Sequence, residues 1–408
     1  MIVGRVITPE DFKGKRADVA ESLSRARPAP NGFSDHVFKT EHGVELGARV
    51  WPAPDTATTG GGPRPFVTWT HGGAFVGGNH FAPLSWLIPG FHALGYHVVS
   101  NSYRLCPQVD LEIGIEDCVD FIAWCRRELP TILGGHDKVD IDRYVITGES
   151  AGGFMVTSMA TRLPEPAPRA VVDVYGLVDL FDHGLFETVD QSAYPAWGSD
   201  KTEPLQQEFS EEKILSVIRE DRDPAHAVST ALFSGSQVLE GEAQLAAAWK
   251  TSSLPFTERA RLQAAVHSYL SSTWPLGGRH RSAYAALLHP ERFATNSNND
   301  EEENEKAIDQ KVQDFARTVS PMQILDTEPY VSGAKTYPPT AFLHGSADTA
   351  VSVGQTERFA AKLRALGVET LVSVEPDEPH VFDQVYTVSN SQRNRGWGGG
   401  SWPNVMNE

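Results

Sequence analysis

The sequence contains few cysteines and no long apolar run. It has three cysteines among 408 residues, namely Cys106, Cys118 and Cys125, and three are too few for a disulfide framework. We interpret them as small buried residues rather than as metal ligands or nucleophiles. No run is apolar over enough residues to span a bilayer, and the N-terminal residues lack the apolar core of a signal peptide. We therefore expect a cytoplasmic protein without a membrane span.

Basic residues are also scarce relative to acidic ones. Lysine and arginine total 35 against 53 aspartates and glutamates, which gives a net charge of −18. A nucleic-acid surface needs a basic face, so we expect no nucleic-acid partner. Part of the acidic excess lies in the low-complexity segment 293–306, which we expect to be a mobile surface loop.

Metal-binding spacings are missing as well. The histidines other than His71 and His380 show no ligand pattern such as H-E-x-x-H. We therefore predict no metal and no cofactor, with a small molecule as the binding partner. The oligomeric state stays open, and a homodimer is one of the options.

Strand-like and helical patterns alternate along two parts of the chain. This alternation predicts a mostly parallel sheet with helices on its faces. We assign residues 1–180 and 336–408 to this core. Residues 181–335 carry helical patterns, and we predict that they form a cap inserted at the carboxyl edge of the sheet. Residues 1–34 look like a loose helical segment that can contribute to the cap.

A serine stands between two glycines in "TGESAGGF", residues 147–154. A β-branched strand pattern precedes it and a helical pattern follows, so Ser150 falls at a strand-to-helix joint. Gly148 and Gly152 suit a sharp turn in which strand and helix pack closely, and we expect Glu149 to support it, with a place in the acyl site as the alternative. A glycine-rich turn with a serine helix cap is the other interpretation, because G-x-S-x-G also arises by chance.

The segment "HGGAF", residues 71–75, follows another predicted strand. Consecutive glycines let backbone N–H groups approach a ligand without Cβ clashes. We predict that Gly72 and Gly73, together with the residue after the serine, Ala151, donate to an oxyanion. We expect His71 to support this loop.

An acid and a histidine follow two later strand patterns. Asp348 lies in "HGSAD" and His380 in "EPDEPH", and the order serine, aspartate, histidine is that of α/β-hydrolases. In this prediction Ser150 is the nucleophile, His380 takes its proton, and Asp348 fixes the imidazole tautomer. Asp383 is nearer to His380 in sequence, but we expect it on a following helix at the surface.

Several motifs together resemble the hormone-sensitive-lipase-like branch of the α/β-hydrolases, which includes plant carboxylesterases. They are "HGGAF" (71–75), "SYRLCP" (102–107), "GESAGG" (148–153), "VYG" (174–176), "HGSAD" (344–348) and "EPH" (378–380). The resemblance implies an eight-stranded, mostly parallel sheet with a helical cap. It also implies hydrolysis of esters with small or medium acyl groups, without metal or cofactor. The chain departs from the pattern at Ala74, Gln108 and Val381, which bear on the substrate more than on the catalytic groups.

The predicted function is that of a carboxylic-ester hydrolase. The alternative is a dedicated natural-product pathway enzyme on the same triad, such as a lactonase, amidase, cyclase or lyase. A receptor without catalytic activity is a third hypothesis, which the presence of His380 disfavours.

Overall fold

The computed structural model describes residues 32–54, 62–81, 83–181, 197–199, 204–227, 258–272, 310–311, 313–348 and 350–385. Most of the predicted N-terminal helical segment and the whole acidic segment 293–306 lie outside these residues. So do much of the predicted cap and the C-terminal tail.

Eight strands form one sheet in the order β1-β2-β4-β3-β5-β6-β7-β8. They are β1 (Ser34–Glu41), β2 (Val44–Trp51), β3 (Arg64–Thr70), β4 (His97–Asn101), β5 (Val139–Glu149), β6 (Ala170–Val174), β7 (Thr340–Gly345) and β8 (Thr370–Glu375). Strand β2 runs antiparallel to both β1 and β4, and all the remaining neighbours are parallel. The predicted eight-stranded, mostly parallel sheet is confirmed.

Helices cover both faces of the sheet. They are α1 (Leu87–Ala93), α2 (Leu111–Leu133), α3 (Ala151–Met159), α4 (Pro204–Glu208), α5 (Glu211–Glu220), α6 (Glu258–Ser272), α7 (Pro321–Ile324) and α8 (Val353–Ala365). Apolar residues of α2, α3 and α8 share one buried cluster, and those of α1 belong to a second. On β5, Tyr144 and Ile146 join the first cluster while Val145 joins the second, because successive strand residues point to opposite faces. The central strands are therefore apolar along nearly their whole length.

The longest helix shows how local sequence sets its ends. Asp110 caps the N-terminus of α2 by accepting a hydrogen bond from the Ile113 N–H at 3.0 Å. Gly134 follows the last turn with a φ of 90°, the left-handed conformation that commonly ends helices. Among the described helices, none is both long and apolar enough to cross a membrane.

The carboxyl ends of the parallel strands place the predicted motifs side by side. Strand β3 leads into "HGGAF", β5 into the serine, β7 into Asp348 and β8 into the loop with His380. Neighbouring parallel strands end at the same edge of a sheet, where α/β proteins keep their sites. The fold therefore gathers these separate segments at one edge.

Candidate active site

Ser150 occupies a strained turn between β5 and α3. Its φ of 53° and ψ of −119° lie where residues other than glycine are rarely found. The surrounding structure holds this conformation, because the Ser150 N–H donates to the Val174 carbonyl at 2.9 Å and its carbonyl accepts from the Phe154 N–H at 3.2 Å. The side chain is partly exposed, so the turn presents the hydroxyl at the edge of the sheet.

The glycines on both sides of the serine are required by close backbone approach. A Cβ at Gly148 would lie 2.2 Å from the carbonyl oxygen of Gly152. A Cβ at Gly152 would lie 2.1 Å from the carbonyl oxygen of Thr70 in β3. Neither position has room for a side chain, which explains why a helix start carries residues of low helix propensity.

The structure brings Ser150, His380 and Asp348 into one hydrogen-bonded series. The Ser150 Oγ lies 3.0 Å from His380 Nε2, and His380 Nδ1 lies 2.6 Å from Asp348 Oδ2. Asp348 Oδ1 accepts hydrogen bonds from the N–H groups of Ala350 and Val351. The partners assign the tautomer, because Nδ1 must donate to the carboxylate and Nε2 is then left to accept from the serine hydroxyl.

A second buried histidine contacts Asp348, a contact that the sequence pattern does not predict. His344 Nε2 lies 3.2 Å from Asp348 Oδ2 and 2.9 Å from the Val351 carbonyl oxygen. Burial alone would lower the pKa of His344, but the hydrogen bond and charge of Asp348 raise it above its usual value. Burial alone would likewise raise the pKa of Asp348, but the charge of His380 and hydrogen bonds from both histidines hold it well below its usual range. The sequence feature that could have indicated this contact is the position of His344 four residues before Asp348.

Gly72 differs from its predicted role in the oxyanion hole. It packs against the serine, since a Cβ there would lie 3.1 Å from the Ser150 Cβ. However, its N–H donates to the Glu149 carboxyl group and is therefore used within the protein. Within the described part of the chain, the N–H groups of Gly73, Ala74 and Ala151 donate to no backbone carbonyl oxygen of the turns and loops. These three groups are therefore candidates for binding a ligand.

His71 and Tyr103 stabilise the segment 71–75, which we call the glycine loop. The His71 Nδ1 lies 2.7 Å from the Gly72 carbonyl oxygen, and the imidazole stacks on the Tyr103 ring with centroids 4.4 Å apart. Burial lowers the pKa of His71 to about 4, so the ring is neutral and donates through Nδ1 at neutral pH. His71 therefore contributes to the loop conformation; its supporting role stays a prediction.

The prediction that Asp383 is a surface residue is wrong. Asp383 lies in the short 3-10 helix Phe382–Val385 and has no exposed area. It accepts hydrogen bonds from Trp86 Nε1 and from the Tyr175 hydroxyl, each at 2.7 Å. The Tyr175 hydroxyl also lies 3.2 Å from Glu149 Oε2. Asp383 is buried because these partners, distant in sequence, surround it.

Part of the predicted cap contacts the loop that follows the glycines. Helix α6 contributes the fully buried Gln263, whose Nε2 donates to the carbonyl oxygens of Val76 and Cys106 at 3.2 and 2.7 Å. Gln108 donates to Gln263 Oε1 and to Asp221 Oδ2, both at 3.2 Å. These amides tie α6 to the segments 71–78 and 102–108.

Trp197, within the predicted cap 181–335, is a packing residue. Its Nε1 donates to the Phe209 carbonyl oxygen at 2.8 Å, and its ring meets that of Tyr269 edge-on with centroids 5.4 Å apart. Trp249 and Trp274 lie outside the described residues. The three cysteines are buried and unpaired, and no cluster of potential metal ligands occurs among the residues that the structure describes.

Two protein families match successive parts of the chain. The family described as "alpha/beta hydrolase fold" matches residues 67–244, and the prolyl oligopeptidase family matches residues 244–396. The chain is an α/β-hydrolase-fold protein. Its sheet order and the placement of Ser150, Asp348 and His380 after β5, β7 and β8 agree with this assignment.

Curated relatives of this α/β-hydrolase-fold protein include fungal polyketide synthases. Non-reducing polyketide synthase ausA from Emericella nidulans is 25% identical over 353 residues, which are 85% of this chain and 13% of the synthase. Non-reducing polyketide synthase mapC' from Penicillium brevicompactum is 26% identical over 379 residues, or 91% of this chain and 15% of the synthase. The chain thus corresponds to a small part of these relatives.

Similar solved structures are esterases. A bacterial heroin esterase superimposes with a TM-score of 0.49 and 15% identity over 99% of this chain and 92% of the esterase. Butyrate-bound esterase Est2 from Thermogutta terrifontis gives a TM-score of 0.46 and 13% identity over 90% of this chain and 91% of the esterase.

Proposed function

We propose that this α/β-hydrolase-fold protein is a serine hydrolase that cleaves carboxylic esters of small or medium acyl groups. The proposal rests above all on the series Ser150–His380–Asp348, with distances of 3.0 and 2.6 Å at the carboxyl edge of the sheet. The resemblance to carboxylesterase motifs is the basis for the size of the acyl group.

In the proposed reaction, Ser150 Oγ attacks the acyl carbonyl carbon while His380 Nε2 takes the hydroxyl proton. Asp348 keeps His380 in the reactive tautomer and stabilises the imidazolium that forms. His380 then gives the proton to the leaving alcohol, and an acyl-enzyme remains on Ser150. Water, with a proton taken by the same imidazole, attacks this ester, and His380 returns that proton to Ser150 Oγ as the acyl–oxygen bond breaks and the acid is released.

The proposed oxyanion hole consists of the N–H groups of Gly73, Ala74 and Ala151. Support comes from the fact that, among the described residues, they donate to no backbone carbonyl oxygen of the turns and loops, and from the packing of the glycine loop against Ser150. Preorganised donors of this kind typically contribute about 3–4 kcal/mol each to transition-state stabilisation.

We also propose that residues 181–335 form a cap that limits access to the site. The amide contacts of Gln263 with the carbonyl oxygens of Val76 and Cys106 support this placement. An insertion after β6 leaves the sheet at the edge that carries Ser150, so it lies beside the site.

A fluorophosphonate probe tests the nucleophile, and a series of p-nitrophenyl esters tests the reaction. We expect the probe to label Ser150, with labelling and ester hydrolysis both lost in Ser150→Ala. Ser216→Ala is the matched control, because Ser216 is a helix-surface residue of α5 whose hydroxyl donates to the Lys213 carbonyl oxygen. Full activity in Ser150→Ala, or labelling elsewhere, would contradict the proposal.

A second candidate function follows from the relatives. The similarity to non-reducing polyketide synthases extends over 85% or more of this chain, which favours an acyl group of polyketide type. In that case Ser150 would accept the polyketide from an ester or thioester and release it by hydrolysis or cyclisation. Comparing kcat/KM for simple p-nitrophenyl esters and for aromatic polyketide thioesters distinguishes the two. The simple-ester proposal predicts fast cleavage of the former, and the second candidate predicts preference for the latter.

A further inference from the structure

Four buried or partly buried polar side chains form a row beneath the candidate catalytic residues. Glu149 directly precedes Ser150 in the chain, and its Oε2 lies 3.2 Å from the Tyr175 hydroxyl. The same hydroxyl lies 2.7 Å from Asp383 Oδ1, and Asp383 Oδ2 accepts from Trp86 Nε1 at 2.7 Å. Glu149, Tyr175 and Asp383 are each at most 3% exposed, so water cannot complete their hydrogen bonds.

Counting protons in this row assigns the charge. A tyrosine hydroxyl carries one proton but here lies between two carboxyl groups. Each carboxyl group receives one N–H, Asp383 from Trp86 and Glu149 from Gly72. The contact with the Tyr175 hydroxyl is shorter for Asp383 (2.7 Å) than for Glu149 (3.2 Å), and we therefore assign the charge to Asp383. The hydroxyl proton therefore goes to Asp383, and the remaining contact is a hydrogen bond only if Glu149 supplies the proton.

We propose that Glu149 is held as a neutral carboxylic acid beside the nucleophile and is a positioning residue for Ser150 and His380. The inference rests on the proposed serine hydrolase function. Glu149 O–H donates to Tyr175, and Tyr175 O–H donates to Asp383.

The row contacts both candidate catalytic groups. At one end, Glu149 accepts the Gly72 N–H and thereby fixes the glycine loop against the turn of Ser150. At the other end, Asp383 follows His380 by three residues in the same loop. In the middle, the Tyr175 ring meets the His380 imidazole edge-on, with centroids 4.7 Å apart. The network therefore constrains the serine turn and the histidine loop relative to each other.

The neutral state of Glu149 matters because negative charge develops nearby during the reaction. An ionised Glu149 would oppose the oxyanion on the adjacent residue, and in a low-dielectric site this repulsion is strong. Burial, together with the charge of Asp383, raises the pKa of Glu149 to about 8. The carboxyl group is thus mostly neutral at pH 7 and mostly ionised at pH 9.

Among the described residues, the titratable groups that interact with Glu149 include Tyr175 after β6, Asp383 in the 3-10 helix and Tyr103 after β4. Burial raises the pKa of both tyrosines well above the usual value, so they stay neutral in this range. His71 stacks on the Tyr103 ring, and His380 lies against Tyr175.

The pH profile of kcat in wild type and Glu149→Gln tests the proposal. With a pKa of about 8, the protonated fraction of Glu149 falls about tenfold between pH 7 and pH 9, and we expect wild-type kcat to fall with it. In Glu149→Gln the amide keeps a donor to Tyr175 and an acceptor for Gly72. We expect the kcat of Glu149→Gln at pH 7 to be about threefold below wild type, because the amide forms these hydrogen bonds with less favourable geometry. Its kcat should then stay level up to pH 9. The matched control Glu128→Gln, in an exposed position on α2, should show the wild-type profile.

A tenfold alkaline fall that persists in Glu149→Gln would overturn the proposal, as would a wild-type profile that is flat to pH 9. Infrared spectroscopy provides a readout that does not need activity. The wild type should lose a buried carboxylic-acid band with a midpoint near pH 8, and this band should be absent from Glu149→Gln. The buried Asp173, with a pKa raised by burial to about 7, can contribute a carboxylic-acid band of its own. Its contribution is identified by recording the infrared spectrum of Asp173→Asn.

The infrared result also separates this proposal from the proposed function. Absence of both ester hydrolysis and probe labelling in the wild type would contradict the serine hydrolase function. Absence of the carboxylic-acid band in an active, labelled enzyme would contradict only the role of Glu149.

Discussion

Asp348→Asn changes the acceptor of the candidate catalytic histidine while leaving its volume almost unchanged. In the wild type, Asp348 Oδ2 accepts from His380 Nδ1 at 2.6 Å and lies 3.2 Å from His344 Nε2. Its Oδ1 accepts two backbone N–H groups, from Ala350 and Val351. An asparagine will keep its carbonyl oxygen at these two donors, which places its NH₂ group opposite both imidazoles.

The donor at that position forces His380 into the other tautomer. Nδ1 must then accept a hydrogen bond, so Nε2 carries the proton and cannot take one from Ser150. We expect kcat to fall about 10⁴-fold, as found when the corresponding acid of a serine protease is changed in this way. Such a loss corresponds to about 5.4 kcal/mol of transition-state stabilisation.

The assay is kcat for a short p-nitrophenyl ester, with the rate of fluorophosphonate labelling and the thermal unfolding midpoint measured alongside. Asp142→Asn is the matched control, because Asp142 is an exposed residue paired with Arg126. A kcat for Asp348→Asn within tenfold of wild type would refute the reasoning about the tautomer. If Asp383→Asn instead caused the 10⁴-fold loss, the orienting acid would be Asp383.

Three further changes test the packing, electrostatics and cap contacts. Gly152→Ala should destabilise the fold by about 3 kcal/mol or more, because the added Cβ would lie 2.1 Å from a backbone oxygen. The control Gly90→Ala, at a position with open space around it, should not lower the thermal unfolding midpoint. Burial raises the pKa of Asp173 to about 7, so this carboxyl group contributes stability that is present below about pH 4 and is lost as pH rises to about 7. Asp173→Asn lacks this ionisable group. We expect its free energy of unfolding in urea, relative to wild type, to be higher at pH 8 than at pH 4 by on the order of 3 kcal/mol. An equal difference from wild type at both pH values would contradict this prediction. Gln263→Ala should change the relative kcat/KM across an ester chain-length series several-fold, because it frees α6 from the glycine loop, and an unchanged series would argue against the cap.

The sequence predicts the sheet and the placement of Ser150, Asp348 and His380 well because each depends on local pattern. A β-branched run followed by a glycine turn identifies a strand end, and parallel strand ends must meet at one edge. The mostly parallel sheet predicted from the alternation of strand and helix patterns is confirmed for this reason, and the count of eight strands, which the family resemblance implies, is confirmed as well.

The remaining features depend on contacts between residues far apart in the chain. Asp383 looks exposed because it is charged and follows a loop, yet Trp86 and Tyr175 bury it. His344 reaches Asp348 only after β7 and its loop are folded. Gly72 matches an oxyanion motif, but the direction of its N–H is decided by the neighbouring Glu149 side chain.

The pairing of β6 with β7 has a consequence for how the protein is made. Strand β6 is entirely buried, yet its neighbour β7 is synthesised only after residues 175–339. Until β7 docks, the nascent chain can form a sheet of β1–β6 only. The outer edge of that sheet is the unpaired, apolar strand β6, and such edges tend to pair with other chains. Closing this contact is entropically slow because so much chain separates the partners. Folding yield is therefore expected to depend on chaperones or low expression temperature, and the nucleophile is synthesised long before the strands that bring it an acid and a base.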